Sequence, residues 1–116
     1  MVALGYVVMT LYSVTTFSDM CGNRVVSRTP SPGGSYDAVL FERDCGATTG
    51  SATQISLVDH GAMLPNKPGN VFVAGEAGVE LKWQDADRLE VTYDPAFRVF
   101  LQNRTVKGVL VTYKTF

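Results

Sequence analysis

Three sets of side chains in this sequence have the types and spacing to do chemistry. The densest is Glu42, Arg43 and Asp44 directly before Cys45-Gly46-Ala47-Thr48-Thr49, which puts two carboxylates, a guanidinium and two hydroxyls within eight positions. Paired acids can divide acid and base work between them. The competing reading is an ion pair of Arg43 with a neighbouring carboxylate, with Asp44, Thr48 and Thr49 satisfying the backbone of a turn. The second set is His60, the sole histidine. Any nucleophilic mechanism that needs an imidazole base must use it, and an enzyme of hydrolase type would combine it with Glu42 or Asp44. Its setting, Asp59-His60-Gly61, is also that of an ordinary strand-ending turn. The third set is Cys21 and Cys45, the only cysteines, each followed by glycine.

A disulfide between Cys21 and Cys45 suits their even number and matching contexts. It closes a loop of about 25 residues, for which chain entropy gives roughly 3.5 kcal/mol, and it implies an oxidising compartment. Two buried reduced thiols, or a reactive or metal-binding cysteine, are the alternatives. Neither a CxxC spacing nor a histidine cluster points to a metal, and Gly46 and Gly50 lack the spacing of a phosphate-binding loop. No cofactor is expected. Ten basic residues against eleven acidic ones leave a formal charge of −1. That balance creates no long-range field for nucleic acid, and nucleic-acid binding is not expected.

The elements that must position these residues are short. A chain of 116 residues, 46% hydrophobic and 18% charged, has the composition of one folded domain. Glycines and prolines punctuate it into strands. Val25 and Val26 begin an apolar stretch that stops at Thr29-Pro30-Ser31-Pro32-Gly33-Gly34. From Tyr36 to Arg43 both parities are apolar, as in a central, covered strand. Gln54 to Val58, Val71 to Val73, Val99 to Leu101 and Val109 to Tyr113 add further strands. The clearest alternation sets Val79, Leu81 and Trp83 against Glu80, Lys82 and Gln84, then Leu89, Val91 and Tyr93 against Glu90, Thr92 and Asp94. It predicts a hairpin around residues 85–88 with Trp83 and Tyr93 on its inner face. The expected fold is all-β, a single antiparallel sandwich or small open barrel of about seven strands over residues 20–116.

Residues 1–19 form a separate segment. From Val2 to Ser18 there is no charge, and the run of about 17 residues sits at the lower limit for a membrane span. A helical membrane anchor or a signal segment is expected over residues 2–18; a core strand or helix is the alternative. Ser18-Asp19-Met20 offers no clear cleavage or lipid-attachment site, so an uncleaved anchor is the simpler form.

The runs Cys21-Gly22-Asn23, Ser31-Pro32-Gly33-Gly34, residues 39–49 (VLFERDCGATT), Thr53-Gln54-Ile55-Ser56 and Gly69-Asn70-Val71-Phe72-Val73 resemble a family of short bacterial proteins with no assigned activity. The likeness covers almost everything after residue 20. It implies a domain held outside the cytoplasm, a disulfide and an N-terminal apolar segment. This chain departs from that pattern at Gly33, where the family more often has aspartate, and in lacking basic residues ahead of the apolar segment. The resemblance brings no function, but the lack of a catalytic constellation in so short a chain favours a non-catalytic one: an extracytoplasmic module that binds or inhibits a protein partner, of immunity type, with Glu42, Arg43, Asp44, Thr48 and Thr49 as candidate binding residues. The alternative is the small hydrolase described above.

Overall fold

A computed structural model describes residues 21–46 and 50–116. The described residues form nine strands: β1 (Gly22–Pro30), β2 (Tyr36–Asp44), β3 (Ser51–Asp59), β4 (Phe72–Gly75), β5 (Val79–Asp85), β6 (Arg88–Tyr93), β7 (Val99–Gln102), β8 (Thr105–Val106) and β9 (Val109–Thr115). They make a five-stranded sheet, β1-β2-β3-β4-β7, and a four-stranded sheet, β5-β6-β9-β8. The all-β expectation holds. The count exceeds seven mainly because β8 is only two residues long and carries no alternation to read.

The two sheets face each other across one core. Ala38, Ile55, Leu57, Phe72 and Ala74 of the first meet Leu89, Val91, Val109 and Val111 of the second, all at or near complete burial. Phe72 anchors the centre, its ring 5.3 Å from Tyr93 and 6.0 Å from Tyr113. The predicted hairpin forms in the expected register, with Val79 opposite Tyr93, Leu81 opposite Val91 and Trp83 opposite Leu89. Trp83 is half-buried against the core and donates its indole N–H to the Thr29 carbonyl at 2.9 Å. Because Thr29 lies on β1, this bond fixes β5 over the β1 edge of the opposite sheet.

Two features depart from the sequence reading. The β6–β9 pair is parallel, Arg88 lying beside Leu110 and Tyr93 beside Thr115, whereas the other strand pairs are antiparallel. Alternation cannot reveal strand direction, since a half-buried strand shows the same period either way. Val25 and Val26, read as the start of an apolar stretch, are 44% and 50% exposed on edge strand β1, where the register shifts between Val25 and Ser27.

β2 is covered on both faces, as its composition predicts. Ala38 and Leu40 point into the main core, while Val39 and Phe41 join Val58, Ala62 and Leu64 in a second small cluster on the outer face. The lid of that cluster is the segment 60–70, and hydrogen bonds strap it down. Arg28 donates to the Ala62 carbonyl at 2.6 Å, Asn23 to the carbonyls of Pro65 and Lys67, and the Gly69 amide to Gln54 Oε1 at 2.7 Å. Asn70 uses its side chain as a surrogate strand, accepting from the Leu57 amide and donating to the Leu57 carbonyl. The strap descends so closely at Gly69 that a Cβ there would lie 2.6 Å from the Ile55 carbonyl oxygen. Only glycine fits without moving backbone.

No helix among the described residues is long and apolar enough to cross a membrane. The segment 2–18 lies outside the described residues.

Candidate functional site

The main polar cluster is built around Asp37, a residue that no sequence motif singled out. Strand alternation puts Asp37 on the same face of β2 as Val39, Phe41 and Arg43, under the strap. Its side chain is 5% exposed. One carboxylate oxygen lies 2.7 Å from His60 Nδ1, and the other accepts from Arg28 Nη2 at 2.9 Å and from the Gly61 amide at 3.0 Å. Gly61 can present that amide because its φ of 76° turns the chain sharply after β3. The Gly61 amide is the chief reason that the Asp37 carboxyl is held at about 2; His60 and Arg28 lower it further, against the opposing effect of burial. The carboxylate is therefore ionised throughout the neutral range.

His60 is held by its inner nitrogen and 57% exposed. A buried carboxylate on one imidazole nitrogen is the orienting half of an acid–base pair, leaving Nε2 for solvent or a ligand. Among the described residues, no hydroxyl or thiol is hydrogen-bonded to that ring.

The residues singled out in the sequence are placed differently. Glu42 and Asp44 share the parity of Ala38 and Leu40, the opposite face of β2 from Asp37 and His60. The hydrolase grouping of Glu42 or Asp44 with His60 is thus not assembled: the sheet stands between them. Glu42 accepts from Arg24 at 2.6 Å in an exposed pair between neighbouring strands. Asp44 Oδ1 accepts from the Gly46 amide at 3.0 Å, capping the turn that follows β2. Arg43 donates to Asn23 Oδ1 at 2.8 Å and Asn66 Oδ1 at 2.9 Å, and Asn66 donates to the Cys21 carbonyl. Arg43 is therefore a fastener for the strap, not a partner of the adjacent carboxylates. Thr48 and Thr49 lie outside the described residues.

Cys21 and Cys45 are bonded. The bridge sits one step beyond the Gly22–Asp44 pair and so prolongs the β1–β2 ladder covalently. Among the described residues, no group of three or more His, Cys, Asp or Glu side chains could hold a metal ion.

A different surface collects on the far side of the sandwich. Phe97 and Phe100 are exposed at and next to edge strand β7, and the Arg98 guanidinium lies 5.3 Å from the centre of the Phe100 ring. Phenylalanine and arginine are both enriched at protein interfaces relative to the rest of the surface. The sequence places Phe100 in the strand from Val99 to Leu101 but does not mark this set, because a run apolar at both parities gives no sign of which face is open. Beside β7, a groove of about 730 Å³ runs along β9.

No protein-family model, curated protein or solved structure matches the chain.

Proposed function

We propose that this domain is a binding module that acts outside the cytoplasm, held at a membrane by residues 2–18, and that its partner is a protein. Phe97, Arg98 and Phe100 carry the reading. Phe100 is 62% exposed on a strand, where burying its ring against a partner gains apolar area with little loss of conformational freedom. The disulfide supports an oxidising compartment, since such bonds persist mainly there. In an immunity-type role the module would occupy its partner and block it, which needs a complementary surface and no bond-making step.

The test places a photo-crosslinking residue at Phe100 in the full chain within its native envelope. A single protein adduct is expected, and it is expected to vanish when Phe97 and Arg98 are both changed to alanine. The same probe at Lys82, exposed on the outer face of the other sheet, should give none. Adducts equal at both positions, or none at Phe100, would sink the reading.

A further inference from the structure

We infer that the groove along β9 is a docking site for an extended, acidic peptide segment of a partner, which adds to the four-stranded sheet as a further strand. This deepens the binding-module reading above and rests on it.

The edge of β9 is open over half its length. β8 covers it only at Val109 and Leu110, and the Val111 amide makes one further bond to the Arg104 carbonyl. Beyond Val111 no strand of the described residues lies on that side. The direction of the backbone follows from the bonds that are made. The amides of Leu110 and Phe116 donate inward to Asp87 and Tyr93, at 2.8 and 3.2 Å, so even-numbered residues of β9 address β6. Odd-numbered residues address the other side, as Val111 does. The N–H and C=O groups of Tyr113 and Thr115 therefore point into the groove, in the geometry that an incoming strand needs.

The groove's side chains give the incoming strand its chemistry. Tyr93 and Tyr113 line it, offering ring surface to alternate side chains. Tyr113 is fixed from below, donating its hydroxyl to the Asn103 carbonyl with the Val71 carbonyl 3.1 Å away. The charged lining residues are Arg104 and Lys114, with no acid among them. Lys114 is engaged by Glu90 at 3.1 Å, whereas Arg104 forms no ion pair among the described residues. A carboxylate arriving beside β9 thus meets an uncommitted guanidinium, which can grip it through two parallel hydrogen bonds.

The longest edge strand is unsuited to the same task. β1 is broken by its irregularity at Val26, and both its arginines are already neutralised by Glu42 and Asp37. Bulges and charges are the usual devices that keep an edge from pairing.

The experiment selects displayed random heptapeptides on the full chain and measures the best by fluorescence anisotropy. Selected sequences should alternate β-branched or aromatic residues with at least one acid. Arg104→Glu should weaken the best of them at least tenfold, with an unchanged melting temperature confirming the fold and Arg104→Gln giving an intermediate loss. Hydrogen exchange on the full chain should show the Tyr113 and Thr115 amides fast when free and slowed by the peptide. Several results overturn the proposal: no enriched sequence, peptides without acids, affinity indifferent to Arg104, or amides already slow in the free chain. The last would mean that residues 2–18 or a second copy occupy the edge. Peptides lost on Phe100→Ala but not on Arg104→Glu would overturn the groove and leave the binding-module reading standing.

Discussion

The indole of Trp83 and the carbonyl of Thr29 meet at 2.9 Å, and this bond is a direct polar tie between the two sheets at their β1–β5 side. Trp83 is half-buried, so its contribution divides between ring packing and the bond. Trp83→Phe keeps most of the packing and should cost about 1 kcal/mol. Trp83→Ala should cost more, about 2 to 3 kcal/mol, below the range for a fully enclosed tryptophan because water can refill the site. Lys82→Ala on the outer face should stay within about 0.5 kcal/mol. Urea melts of the three variants check the ranking, and equal losses for Trp83→Ala and Lys82→Ala would contradict the register.

Asp37 links the fold to acidity. Its carboxyl titrates at about 2 in the folded chain, below the ordinary 3.8, so the folded state binds this proton less readily than the unfolded state. The stabilisation it brings is fully present above about pH 4 and drains away as the pH falls towards about 2. Asp37→Asn should remove that part of the acid dependence. It should also lower stability at pH 7 by about 1 to 3 kcal/mol, because the Gly61 amide and Arg28 lose their anionic acceptor. Urea midpoints at pH 7 and pH 2.5, for both forms, read the difference; an Asp37→Asn variant as acid-sensitive as the parent would refute it.

The Cys21–Cys45 bridge closes its loop next to an existing ladder, and Cys45→Ser should cost about 2 to 5 kcal/mol. The loss should be felt first at the Gly22–Asp44 end. Hydrogen exchange should therefore rise at Asn23 and Arg24 before it rises near Thr29, where Trp83 still holds β1. Uniform loosening along the strand would count against that order. Intact mass with and without reductant establishes the bond itself.

Much of the fold was legible because half-buried strands write their faces into the sequence. Trp83, Leu81 and Val79 announced their side by parity, and β2 announced its two coverings by being apolar at both parities. Strand direction was not legible, since β6 and β9 alternate in the same manner whether parallel or antiparallel. The site was read less well. Glu42, Arg43 and Asp44 attracted attention by being adjacent, yet adjacency along a strand separates side chains onto opposite faces. The signal that marks Asp37 was available: it is a carboxylate at the parity of Val39 and Phe41, an acid on an apolar face. Its partners Arg28, on β1, and His60, in the turn after β3, are distant in sequence, and only pairing brings them together.

The parallel contact between β6 and β9 also sets an order of events in time. A hairpin such as β5–β6 can close as soon as its own residues exist, but β9 enters between β6 and β8 after the chain has left for β7 in the other sheet and returned. Long-range pairing of this kind is slow to nucleate, because the intervening chain must be placed before the contact forms. Until residues 109–115 are available, Leu89 and Val91 lack the neighbours Val111 and Tyr113, and the four-stranded sheet is no more than a hairpin. In a nascent or partly threaded chain the four-stranded sheet therefore stays loose until β9 arrives, a property that suits the proposed placement outside the cytoplasm, since a polypeptide bound there must pass through a narrow channel before it folds.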